Sequence, residues 1–175
     1  MNEKKLRLGI DFHGVITENP VFFRDFCDLA LSLNYEVHIV SGGPCQVEKE
    51  FLKAWHICYT ELFCLLDYFA SRGQIEYFEN GNFKVRDELW NEAKAQYCAK
   101  HRIDIQIDDT ARYFQSFTTP FCLYDAKKHS GRLNGHLIDF KQSPAQSLTT
   151  IEKILKEIPE GKRDQTFGDT EDKKV

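Results

Sequence analysis

A chain of 175 residues is about one domain long, and at that size it can bury roughly 70% of its unfolded surface without help from disulfides or metals. Hydrophobic residues at 42% and charged residues at 29% describe an ordinary soluble chain, and 14 Phe predict an aromatic core. A net charge of -4 disfavours nucleic acid as a partner, leaving only a local basic patch as a route to it.

No apolar run approaches the roughly 18 residues needed to span a bilayer, and the segment from Met1 to Lys5 has no apolar stretch after its charges, so a cytoplasmic location without membrane contact is expected. The six cysteines, Cys27, Cys45, Cys58, Cys64, Cys98 and Cys122, form no Cys-x-x-Cys pair and lie mostly in apolar patterns. They read as buried free thiols.

Leu6 to Ile10 is apolar apart from Arg7, as a parallel strand covered on both faces would be, and it runs straight into Asp11-Phe-His-Gly14. Asn19-Pro20 predicts the start of a first helix carrying Val21, Phe22, Phe26, Leu29, Ala30 and Leu33 at helical spacing. Val37 to Val40 is a second strand ending in Ser41-Gly-Gly-Pro44, and Pro44 opens a second helix with Val47, Phe51, Leu52 and Trp55 expected on its buried face. Leu62, Phe63, Leu65, Leu66 and Phe69 predict a further helix closed by Arg72-Gly73. Asn80-Gly81 then predicts a hairpin between Ile75–Phe78 and Phe83–Val85.

Asp87 caps a long predicted helix through His101, with Leu89, Trp90, Ala93, Tyr97 and Cys98 inward. Ile103 to Ile107 alternates as a strand and ends in Asp108-Asp109, followed by a short helix near Ala111 to Phe117. Phe121 to Tyr124 reads as a strand, 125–134 as a polar, partly basic loop, and Ser143-Pro144 as the cap of a last amphipathic helix through Ile158. The expected organisation is one domain over 1–158, with 59–86 as a small helix-plus-hairpin insertion and 159–175 as a flexible polar tail.

Strands alternating with helices predict an α/β fold, a three-layer sandwich around a mostly parallel sheet. Parallel strands present their carboxyl ends on one edge, so Asp11, Ser41 and Asp108-Asp109 are expected to converge. Carboxylates gathered there repel one another unless a cation joins them. A hard-oxygen set without Cys or His favours Mg²⁺, which keeps coordination positions for a phosphate. Ser41 offers a hydroxyl, and the Gly42-Gly43 amides at a helix N-terminus favour an anion. Lys84 or Lys94 supplies positive charge, and Asp11 is placed to act as a carboxylate nucleophile.

In this order and strand placement, Asp11-Phe-His-Gly-Val-Ile-Thr17, Val-Ser41-Gly, a lysine and Ile-Asp108-Asp109 resemble the four motifs of the haloacid-dehalogenase-like hydrolases over roughly residues 6 to 125. The resemblance implies a Rossmann-like sheet and Mg²⁺-dependent phosphomonoester hydrolysis through a phospho-aspartate. It implies Asp11 as nucleophile, and as metal ligands Asp11, the main-chain carbonyl of His13, Asp109 and Asp108. Ser41 matches the phosphate-binding hydroxyl, beside Gly42, and Lys84 is taken for the family lysine with Lys94 as the alternative.

His13 departs from the family pattern, in which a second Asp stands two residues after the nucleophile. Imidazole can serve as the acid and base, contributing about 10² to 10⁴-fold. Two functions follow: a phosphatase in which His13 protonates the leaving oxygen, or a catalytically impaired phosphate- or nucleotide-binding regulatory module. The first helix leaves no room for a large lid. An open site suits a phosphorylated macromolecule, or a small phosphoester enclosed by a second subunit of the same chain.

Overall fold

The computed structural model describes residues 5–158; the expected polar tail over 159–175 lies outside the described residues. In chain order the strands are β1 (Arg7–Ile10), β2 (Glu36–Ser41), β3 (Glu61–Cys64), β4 (Glu76–Tyr77), β5 (Phe83–Lys84), β6 (Ile105–Asp108), β7 (Phe121–Asp125), β8 (Ser130–Leu133) and β9 (His136–Asp139). The helices are α1 (Pro20–Ser32), α2 (Cys45–Ala54), α3 (Leu65–Ala70), α4 (Asp87–Lys100) and α5 (Pro144–Glu157), with a short 3-10 helix over Ala111–Ser116. Among the described residues no helix is long and apolar enough to cross a membrane.

The fold is mixed α/β around a seven-stranded sheet of order β3-β2-β1-β6-β7-β8-β9. The first five strands in that order pair in parallel, and β8 and β9 extend the sheet antiparallel. The chain builds outward from β1 through β2 to β3, then crosses to the other side of β1 to lay down β6. The order therefore reverses between β1 and β6, and a crevice opens outside the carboxyl ends of the strands at such a point.

Alternation along the strands divides the core between two faces. Val37 and Ile39 of β2 join one cluster with Phe23 and Phe26 of α1 and Ile151 of α5. Val40 joins the other, with Ala95 and Cys98 of α4 and Phe117. The rings of Phe22, Phe23, Phe26, Tyr124 and Phe140 pack with centroids 5.2–6.2 Å apart, which gives the expected aromatic core a location under α1. Burying one such ring contributes about 1.5–3 kcal/mol. Local signals agree at both ends of this face. The Asn19 side chain accepts from the Phe22 amide with Pro20 in the first turn, and Ser143 with Gln146 forms a capping box.

Several expectations need correction. Residues 61–64 are a sheet strand rather than part of a helix, because an apolar run this short suits either state and β2 offered an open parallel edge, with His38 opposite Glu61. The structure thus joins part of the expected insertion to the main sheet. The stretch 125–134 is not all loop. β8 and β9 fold back around Asn134-Gly135, both at positive φ (48° and 78°), which is hairpin chemistry equal to that of Asn80-Gly81.

The inward face of α2 also differs. Leu52 is buried, but Val47 and Phe51 are each 47% exposed, while Glu48 is fully buried. Helical periodicity alone misses this rotation, since Phe51 satisfies its ring against Phe12 and Trp55 at the surface, with centroids 6.3 and 5.2 Å apart. Among the cysteines, Cys27, Cys98 and Cys122 are free and buried and Cys58 is free but exposed. Cys45 and Cys64 form a disulfide that ties the first turn of α2 to the end of β3. Those two elements meet because β2 and β3 are parallel neighbours, a proximity that spacing in the sequence does not display.

Candidate functional site

Asp11 follows the last residue of β1 and is held to the neighbouring strand by its amide, which donates to the Ile107 carbonyl at 2.8 Å. Its side chain is buried, with Oδ1 accepting from the Phe12 amide at 2.8 Å and facing Lys94 Nζ at 2.9 Å. Asp108 ends β6 on the adjacent strand, fully buried, with Oδ2 2.7 Å from the same Nζ and Oδ1 accepting from the Thr110 amide at 2.9 Å. Asp109 is exposed and accepts from the Thr110 hydroxyl at 3.1 Å.

One carboxylate oxygen from each of Asp11, Asp108 and Asp109 lies within 4.8 Å of the others. Gly14 makes this approach feasible. It sits at φ +75°, and a Cβ there would run into the Asp109 carboxylate.

Lys94 comes from the inward side of α4 and is almost completely buried. Burial alone would push its ammonium down, but the flanking charges of Asp11 and Asp108 outweigh it and hold the group charged. Burial raises the Asp11 carboxyl, Lys94 opposes that, and Asp108 and Asp109 add to the rise. Three carboxylates thus share one protein cation. The set is all oxygen, short of positive charge and placed at the strand-order reversal, and those properties fit a divalent hard cation.

Beside this cluster, β2 delivers Ser41-Gly42-Gly43-Pro44 to the start of α2. Ser41 is fully buried and its hydroxyl donates to Glu48 Oε1 at 2.6 Å. The Ser41 hydroxyl oxygen also lies 3.5 Å from the Gly43 amide and 3.5 Å from His13 Nδ1. His13 Nδ1 is 3.8 Å from Glu48 Oε1, and the imidazole, 60% exposed, packs edge-on against Phe12 with centroids 5.0 Å apart. A Cβ at Gly43 would collide with both the Glu48 carboxylate and the His13 ring, so glycine is what lets these groups meet.

Burial pushes the Glu48 carboxyl up to about 7, against the hydrogen bond from Ser41 and that of the Gly43 amide. Partial burial and the Lys94 charge lower the His13 imidazole, and Asp109 offsets part of this.

The structure brings Asp11, His13, Ser41, Gly42, Asp108 and Asp109 to one edge of the sheet. It places Lys94, rather than Lys84, against the carboxylates. Lys84 is exposed on β5, which among the described residues pairs with β4 in a two-stranded ribbon separate from the main sheet. Glu48 is the residue that sequence reasoning passes over. An acidic residue in the first turn of a helix is ordinarily explained by the helix dipole, so only the rotation of α2 reveals it. No family model matches the chain, nor does any curated protein or solved structure.

Proposed function

We propose that the chain is a Mg²⁺-dependent phosphomonoester hydrolase of the haloacid-dehalogenase-like kind, with a Rossmann-like three-layer sandwich as its scaffold. The observation that carries this reading is Lys94 lodged between Asp11 and Asp108, with Asp109 beside them, at the point where strand order reverses.

Lys94 and the Phe12 amide both engage Oδ1 of Asp11, which orients the carboxylate and leaves Oδ2 to attack phosphorus. A new Oδ2–P bond forms as the bond from phosphorus to the leaving oxygen breaks, and His13, entering this step as imidazolium, delivers a proton to that oxygen and becomes neutral. Water then attacks phosphorus, His13 takes its proton, inorganic phosphate departs and Asp11 is restored. The Gly42 amide, just ahead of α2, favours the phosphoryl oxygens. Asp11, Asp109, Asp108 and the main-chain carbonyl of His13 would hold Mg²⁺, which supplies charge neutralisation to the phosphoryl group.

Phosphate release from a panel of phosphomonoesters in Mg²⁺ tests the reading. Wild type should release phosphate and Asp11→Asn should not. Wild type indistinguishable from Asp11→Asn, together with activity gained in His13→Asp, would leave only the phosphate- or nucleotide-binding regulatory module.

A further inference from the structure

Glu48 is a carboxyl buried beside a site already crowded with negative charge, and nothing in the hydrolysis just described uses it. Burying such a group is unfavourable unless it is hydrogen-bonded. Here α2 turns Glu48 inward while leaving Val47 and Phe51 largely at the surface. Its Oε1 accepts from the Ser41 hydroxyl at 2.6 Å, and that hydroxyl oxygen lies 3.5 Å from His13 Nδ1; Oε1 is itself 3.8 Å from the same Nδ1, and the Cys64 sulfur lies 3.7 Å from Oε2.

A serine hydroxyl has one hydrogen and two lone pairs. With the hydrogen committed to Glu48, only lone pairs remain to face His13, and they are satisfied when Nδ1 carries the proton. The edge of Phe12 bounds the ring on another side, and the absent side chain at Gly43 allows the approach. The imidazole is thereby held with one nitrogen toward the Ser41–Glu48 pair and the other available to a substrate.

We propose that Glu48 is a positioning residue that acts through Ser41 to hold neutral His13 as its Nδ1–H tautomer, leaving Nε2 as the atom that exchanges a proton with the reacting oxygen. The proposal rests on the hydrolase reading for its catalytic meaning but not for its geometry. It also reassigns Ser41: the hydroxyl expected to bind phosphate becomes the spacer between a carboxylate and the acid–base residue, and the amide of Gly42 is left to meet the anion.

The test is nitrogen NMR of the full chain labelled with ¹⁵N-histidine, at about pH 8.5 where imidazole is neutral, with the His13 signals assigned by their loss in His13→Asn. Wild type should show a protonated Nδ1 and an unprotonated Nε2. Glu48→Leu removes the acceptor at similar volume, so the Ser41 hydrogen turns to Nδ1 and the tautomer should invert. Glu48→Gln keeps an acceptor oxygen and should restore the wild-type pattern. If Glu48→Leu does not fold, Ser41→Ala breaks the same relay and should likewise lose the Nδ1–H preference.

With a phosphomonoester and Mg²⁺, Glu48→Leu should lower kcat by about tenfold, a part of the full acid–base contribution, with KM little changed. An Nε2–H tautomer in wild type, or an Nδ1–H tautomer unaltered in both Glu48→Leu and Ser41→Ala, overturns the proposal. Tautomer inversion in a chain that releases no phosphate sustains the positioning and overturns the hydrolase instead.

Discussion

Two buried charged groups border the same sheet edge and are compensated in opposite ways. Lys94 has an anion on each side, at 2.9 and 2.7 Å, and a neighbourhood that raises its affinity for a proton until it is permanently charged. Glu48 meets a neutral hydroxyl at 2.6 Å, an amide and, at 3.8 Å, the His13 imidazole, whose own proton affinity is lowered, and its carboxyl is pushed up to about 7. The first is a fixed charge that joins the carboxylates at the ends of β1 and β6. The second is a hydrogen-bond acceptor whose charge is conditional, suited to aiming neighbours rather than neutralising them.

The largest effect should come from breaking the fixed pair. Lys94→Met leaves two buried carboxylates without their cation and should destabilise the fold by about 3–5 kcal/mol, read as a shift in the urea midpoint. Mg²⁺ should recover part of that loss, because a bound cation replaces the missing charge. A midpoint unchanged from wild type would mean that the pair is not an organising contact.

Reducing the Cys45–Cys64 disulfide should come next. The bond closes a span of 19 residues, and chain-entropy arguments put such a closure at about 3 kcal/mol. Denaturation with and without dithiothreitol, compared against Cys45→Ser, checks it. Dithiothreitol should destabilise wild type and leave Cys45→Ser, which already lacks the bond, unchanged.

Gly14→Ala should cost about 1–2 kcal/mol for the left-handed backbone alone, plus displacement of Asp109. Its stability loss should therefore be accompanied by weaker Mg²⁺ binding in titration calorimetry. Gly73→Ala, at φ +63° with open space around it, should show the backbone penalty without the change in binding.

The pH response of Glu48 separates the two groups without removing either. Its folded value of about 7 exceeds the ordinary 4.5, so below 4.5 the group is protonated in both states and its contribution is fully present. As pH rises toward 7 the unfolded chain loses the proton while the folded one retains it, and stability declines. Subtracting the pH profile of Glu48→Gln from that of wild type should isolate a fall across this window and a plateau above it. A rise across the same window would contradict the burial assigned to this carboxyl.

The legible parts of the site share one physical property. Asp11, Ser41 and Asp108-Asp109 stand at strand ends, and the ends of parallel strands meet on one edge whatever the rest of the fold does. Lys94 and Glu48 stand on helices, whose rotation about their own axes is set by packing partners remote in sequence. Lys94 was reachable as one of two lysines, yet nothing local separated it from Lys84. Glu48 was hidden because Val47 and Phe51 offered a more hydrophobic face to the same pattern. In the fold, α1 and α5 announced themselves through Asn19-Pro20 and Ser143-Pro144. β3 did not, since its run of Leu, Phe and Cys became a strand only because β2 had an unpaired edge.

The most direct measurement of the central claim is mass spectrometry of acid-quenched protein after a brief reaction with a phosphomonoester and Mg²⁺. One added phosphoryl group is expected on the peptide containing Asp11, absent from Asp11→Asn. Phosphate released without any adduct on Asp11, or at the same rate from Asp11→Asn, would contradict it.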